Sequence, residues 1–138
     1  MREIKFRAFD TKNKIMHHDF QFIRTGDAGN DWVLIVSDKH SIKDYEWTKN
    51  PYFAQQFNIM QCTCIKDKNG NDIYEGDILR FFKSLSIVEW ETIGWTIKPI
   101  NYTNKILYKF NTSSFKAGRA FEIVGNICEN PELTKLED

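Results

Sequence analysis

The sequence predicts a mainly β protein, and three observations carry that reading. Apolar runs are short, with period-two alternation or a bias to β-branched residues. Turn residues punctuate them at close spacing. The chain of 138 residues also holds eleven Phe, five Tyr and four Trp, flat rings that suit a pleated, half-buried face. The length bounds the answer to one domain, or one domain with a small subdomain, able to bury a core without metal or disulfide staples.

In chain order, Ile4, Phe6 and Ala8 alternate with Glu3, Lys5 and Arg7, which predicts a half-buried strand with the apolar set inward. The polar turn 10–14 and the restart at Ile15-Met16 make residues 2–18 a hairpin. Trp32–Val36 reads as a buried strand. Residues 41–57 are ambiguous: Ser41 and Asp44 match a capping box, and Pro51 breaks what precedes it. Asn58–Ile65 reads as extended.

Beyond Ile78 the chain is nearly all strand and turn. Ile78–Phe82, Ile87–Glu91 and Trp95–Lys98 are separated at Lys83-Ser84 and Gly94, and Pro99 should close the third strand or sit at an edge. Ile106–Phe110 and Phe121–Ile127 follow, with Gly125 marking a bulge. Asn130-Pro131 fits an N-cap and first helical position, with Leu133 and Leu136 docking one short turn. The expected architecture is an N-terminal antiparallel sheet with at most one or two short helices (an α+β variant), followed by a small SH3-like β-barrel. The best boundary is the Gly76-Asp77 bend. It gives residues 1–75 as an N-terminal β subdomain and 76–138 as a tightly associated barrel.

The formal net charge is zero, which argues against strong nonspecific nucleic-acid binding. Its layout is uneven. Residues 1–19 carry net +2, 20–79 net −3, 80–119 net +5 and 120–138 net −4, so the blocks either compensate in the fold or leave one basic face exposed. Three cysteines, Cys62, Cys64 and Cys128, with no apolar h-region at the N-terminus and no membrane-length apolar run, are expected of a soluble intracellular protein with reduced thiols.

The most informative stretch is Lys66–Arg80, KDKNGNDIYEGDILR. Asp67-Lys68-Asn69-Gly70 is a tight-turn signal, because Asn and Gly accept positive φ at little cost. Ile73-Tyr74 can bury, and Glu75-Gly76-Asp77 bends the chain into the next strand. Three blocks together resemble the YopX-like family of phage and prophage proteins: IKFRAFD at Ile4–Asp10, KDKNGNDIYEGDIL at Lys66–Leu79, and EIVGNICENPEL at Glu122–Leu133. Phe9 stands where that family usually has Trp, and Cys64 where it often has Gly. Cys64 is read as an ordinary strand residue all the same. The resemblance implies a mostly β fold and a gene acting in the cytoplasm of a bacterial host. It brings no agreed catalytic or binding residues.

The candidate chemistry is weighed on physics. Asp67, Asp72, Glu75 and Asp77 could hold Mg²⁺ or act as an acid/base pair in a metal-assisted hydrolase. They are better read, with Asn69, Gly70, Tyr74 and Gly76, as turn structure in which carboxylates bond backbone N–H groups. His17, His18, His40 and the three cysteines fit no common zinc spacing. Cys62 and Cys64 are expected on one strand face. No catalytic residue, metal or cofactor is assigned. The specific hint is basic: Arg80, Lys83, Lys98, Lys105, Lys109, Lys116 and Arg119, interleaved with Trp90, Trp95, Tyr102, Tyr108 and Phe115, are ingredients of single-strand binding. The leading expectation is a non-enzymatic phage accessory protein that binds another protein or a second copy of itself, with nucleic-acid binding as the alternative and no membrane partner.

Overall fold

The computed structural model describes residues 4–18, 20–25, 31–36, 57–92, 94–100, 108–109 and 120–135, with side chains described in 4–18, 57–92, 94–100 and 120–135. The described residues are mainly β. The strands are β1 (Phe6–Asp10), β2 (Ile15–His17), β3 (Phe20–Thr25), β4 (Asp31–Val36), β5 (Phe57–Lys66), β6 (Asp72–Tyr74), β7 (Asp77–Phe81), β8 (Ser84–Glu91), β9 (Gly94–Pro99), β10 (Tyr108–Lys109) and β11 (Glu122–Asn126), before a short 3₁₀ turn at Pro131–Thr134. The chain divides into two compact units. One is formed by Met1–Phe6 with Met60–Asp138, the other by Arg7–Ile59. The bend at Gly76 lies inside the first unit. The segment 41–57 lies, apart from Phe57, outside the described residues.

Within Arg7–Ile59, β1 and β2 form the N-terminal hairpin, with Ala8 opposite His17 and Asp10 opposite Ile15. Asp10 closes its turn. Its carboxylate accepts from the backbone N–H of Lys12 and Asn13 and from Asn13 Nδ2, at 2.7–3.0 Å. The expected alternation is overturned here. Ile4 and Phe6 are exposed, whereas Arg7, Ala8, Phe9 and Asp10 are all buried. From Arg7 onward β1 is covered on both faces, so period two no longer separates inside from outside. A second hairpin pairs β3 with β4 in unbroken register from Phe20–Val36 to Thr25–Asp31.

The other unit holds a five-stranded antiparallel sheet in the order β10-β9-β8-β7-β11, the five strands expected after Gly76. Its inner face is set by register. Leu79 on β7, Val88 on β8 and Ile97 on β9 occupy equivalent alternating positions and join Ile65, Ile73 and Trp95 in one core, with Phe121 and Ile123 packed against it. Pro99 ends β9, where its missing N–H costs the sheet least. The bulge expected on β11 falls between Ile123 and Gly125, which face Leu79 and Ile78. A Cβ on Gly125 would stand 2.5 Å from Asn130 Oδ1. The Asn130-Pro131 start is present, but Asn130 makes no side-chain cap. Its Oδ1 instead accepts from the Asn126 N–H at 3.3 Å.

β5 departs most from its sequence reading. Cys62 is 2% exposed and Cys64 is exposed, so the two do not share a face. Cys64 has φ 62° and is not an ordinary strand residue. The register between β5 and β6 slips here, from Cys62 opposite Tyr74 to Lys66 opposite Asp72. Thr63 repairs the ladder by donating to the Ile73 carbonyl at 2.8 Å and accepting from the Ile65 N–H at 3.1 Å. The left-handed conformation costs an L residue about 1 kcal/mol and glycine almost nothing. Cys64→Gly is therefore expected to stabilise the fold by roughly 0.5–1 kcal/mol, read as a rise in the midpoint of urea unfolding.

Candidate functional site

The signature segment forms a closed polar corner. Asp67 is 4% exposed, and its Oδ1 accepts from the N–H groups of Asn69 and Asn71, both at 2.9 Å. Its Oδ2 accepts from the N–H of Ile123, 56 residues away, at 3.2 Å. The turn closes through Gly70 N to the Asp67 carbonyl. Burial is the largest influence on this carboxyl and opposes ionisation. The N–H groups of Asn71, Ile123 and Asn69 together outweigh it and hold the group below its ordinary value.

Asp77, 1% exposed, accepts from the Tyr74 N–H at 2.8 Å. Between them Gly76, at φ 78°, donates to the Val88 carbonyl and accepts from the Ile127 N–H. Asp72 faces outward to Lys66 at 2.8 Å and Lys5 at 3.6 Å. The Lys66 hydrogen bond first, against burial, and then the charges of Lys66 and Lys5 lower its pKa. Asp67 thus serves backbone donors with both oxygens and Asp77 with Oδ2, and Asp72 serves lysines. Among the described residues no three His, Cys, Asp or Glu side chains are grouped to hold a metal ion.

The basic residues divide. Register places Arg80 and Lys98 on one face of the five-stranded sheet, since Lys98 aligns with Ile87 and Ile78, while Lys109 lies in β10, paired with Thr96. The same face carries acids: Glu122 lies opposite Arg80, and Glu89 lies 3.6 Å from Lys98. Glu122 in turn reaches Lys68 at 3.1 Å. That face is mixed in sign. Lys105, Lys116 and Arg119, with Tyr102 and Phe115, lie outside the described residues. Trp95 is core, and Trp90, 58% exposed, meets it edge-on at 4.9 Å.

The surface that stands out was not singled out in the sequence. β7 and β8 are joined by a two-residue turn, Phe82-Lys83, after the pair Phe81–Ser84. Phe82 is 85% exposed and has φ 51°. A bulky residue rarely takes that conformation, and turns that need it use Gly, Asn or Asp. Phe82 meets Phe81 edge-on at 4.7 Å, and Phe81 meets Phe121 at 5.3 Å. Arg80 and Lys83 flank the rings, both exposed, with no ion pair among the described residues. The polar corner supports this tip: Lys68 N donates to the Phe121 carbonyl at 2.8 Å, and Asp67 holds Ile123 two residues on. The missed signal was Phe-Phe-Lys in a hairpin turn, a place where sequence normally puts small or polar residues.

Fold and corner together define an antiparallel β protein built around a polar signature turn and carrying an exposed aromatic hairpin. The sequence model of the family described as "YopX protein" matches residues 5–135, and the chain belongs to that family. No curated protein matches it. Among solved structures it is similar to protein EF1440 from Enterococcus faecalis, with TM-score 0.58 and 24% identity over 98% of this chain and 100% of that one. That likeness extends the fold and no more. Among the described residues no helix is long and apolar enough to cross a membrane.

Proposed function

We propose that this YopX-family protein is a non-enzymatic binding module that docks another protein through the β7–β8 hairpin tip. Phe82 carries the reading. Folding alone gives no reason to hold a phenyl ring in water on a left-handed backbone, whereas strain of that kind is characteristic of contact sites. Aromatic side chains with a neighbouring arginine are the usual composition of binding hot spots. The two cations, without an acid between Arg80 and Leu85, favour a partner surface bearing carboxylates. The family resemblance supports an accessory role for a phage or prophage in the cytoplasm of a bacterial host, and closure of the five strands as an SH3-like barrel would hold the hairpin rigid. A second copy of the chain is the nearest variant of this reading, through the same apolar tip.

Phe82→Ser tests it. The variant should fold with unchanged stability within about 0.5 kcal/mol, since the ring is exposed. It should lose roughly 30-fold or more in affinity, about 2 kcal/mol, for the protein captured by the wild-type chain from nuclease-treated host lysate. Equal capture by both proteins would remove the tip from the interface. A concentration-dependent mass in light scattering, abolished by Phe82→Ser, would identify the second copy.

A nucleic-acid reading has one observation of its own: Phe82 could stack on a base while Arg80 and Lys83 meet phosphates. It requires retention that nuclease abolishes, and a plot of log K against log salt with slope about −1.4 for two phosphates on a single strand.

A further inference from the structure

We infer that Cys64 and Cys62 form a peroxide-responsive dithiol, with Cys64 as the site of attack and Cys62 as the thiol that closes the disulfide. All three cysteines are unbridged. Cys64 is exposed, and its left-handed backbone turns its N–H onto Cys62 Sγ at 3.2 Å. With an N–Cα bond of about 1.46 Å, the Cys62 sulfur lies within about 4.7 Å of the Cys64 Cα. Rotation of the Cys64 side chain is then the main motion needed to approach disulfide geometry. In a regular strand the two thiols would stand farther apart along one face. The left-handed turn at Cys64, where the β5–β6 register slips, instead puts the Cys64 backbone against the Cys62 sulfur.

The division of roles follows from exposure. Cys62 is buried, and burial pushes its thiol up, partly offset by the hydrogen bond from the Cys64 N–H, with the neighbouring Cys64 and Asp72 pushing the same way as burial. Cys62 is therefore slow to react with a solute and depends on an oxidised neighbour. The Cys64 thiolate attacks one oxygen of hydrogen peroxide. An S–O bond forms, the O–O bond breaks, and the departing hydroxide takes a proton and leaves as water. The Cys62 thiolate then attacks the Cys64 sulfur. The S–S bond forms, the S–O bond breaks, and a second hydroxide is protonated to water. Two thiols lose two electrons in all, and one peroxide is reduced to two waters.

The experiment is peptide mapping of the whole protein after brief treatment with hydrogen peroxide, quenching and alkylation. Trypsin releases residues 50–66 with both thiols, and Cys128 separately within 120–135. The expected result is peptide 50–66 lighter by about 2 Da and unalkylated, while Cys128 is alkylated in full. Cys64→Ser should abolish the loss of mass and leave Cys62 alkylated. Cys62→Ser should leave a sulfenic acid on Cys64 that dimedone traps. The inference is overturned if peptide 50–66 stays doubly alkylated once Cys128 has begun to oxidise. Progression of Cys64 to sulfinic acid with Cys62 still alkylated would overturn it equally.

Discussion

Asp67→Ala should cost the fold about 3 kcal/mol, seen as a lower midpoint of urea unfolding with an unchanged slope. Three backbone N–H groups lose their acceptor. Those of Asn69 and Asn71 sit in an exposed turn and can turn to water, so each contributes modestly. That of Ile123 is part-buried at the start of β11, where the 3.2 Å bond joins the turn to the sheet. Asp67→Asn should cost about half as much, because its Oδ1 still accepts in the turn while its amide cannot accept from Ile123. The pair also separates charge from geometry. The folded pKa of Asp67 is held below the ordinary 3.8, so its stabilisation is fully present above that value and is lost as pH falls through the folded pKa. Asp72, lowered mainly by Lys66, adds to the same acid limb with the same sign. The stability of Asp67→Asn should fall less steeply than wild type below pH 3.8. An identical acid limb in both proteins would show that the Asp67 charge does not stabilise the corner.

Gly76→Ala should cost about 2–3 kcal/mol, from two sources. At φ 78° the alanine pays about 1–2 kcal/mol for its Cβ alone. That Cβ would also lie 3.2 Å from Ile127 Cγ1, so the Ile127 side chain must give way, while Met60 Sδ at 3.6 Å is an ordinary contact. The backbone cannot rotate out of the region, since Gly76 N is held by Val88 O at 2.8 Å and Gly76 O by Ile127 N at 2.9 Å. Gly70→Ala is the control. It has a similar φ of 85° with open space around it, and should cost only the conformational part, about 1 kcal/mol. Equal losses at the two positions would show that the contact with Ile127 carries no weight.

Much of the strand layout was legible because it rests on local chemistry. The runs that became β4, β5, β8 and β9 are apolar and β-branched, and the bulge at Gly125 and the stop at Pro99 follow from what those residues cannot do. Asp67 was legible as a turn residue by type and spacing. Its third bond was not, because Ile123 lies 56 residues away and no local pattern encodes that meeting. The alternation at Ile4, Phe6 and Ala8 misled for a related reason: period two reports one covered face, and β1 is covered on two. Cys64 misled because a positive φ at a non-glycine residue is imposed by the register slip between β5 and β6, which belongs to the pairing and not to the residue. The basic block looked like one feature in the sequence. The register sets Arg80 and Lys98 on a sheet face that also carries Glu89 and Glu122, and Lys83 in the exposed hairpin turn beside it.

The sequence by itself determined the β class, the signature turn and the family, since propensity, turn chemistry and motif order act over a few residues at a time. Tertiary structure decided that Asp67 and Asp77 accept from backbone donors while Asp72 meets lysines, that the Cys64 N–H turns onto the Cys62 sulfur where the ladder slips, and that Phe82 stands in water on a strained turn. Each of these depends on which distant strand lies alongside, and that is fixed only when the whole sheet is assembled.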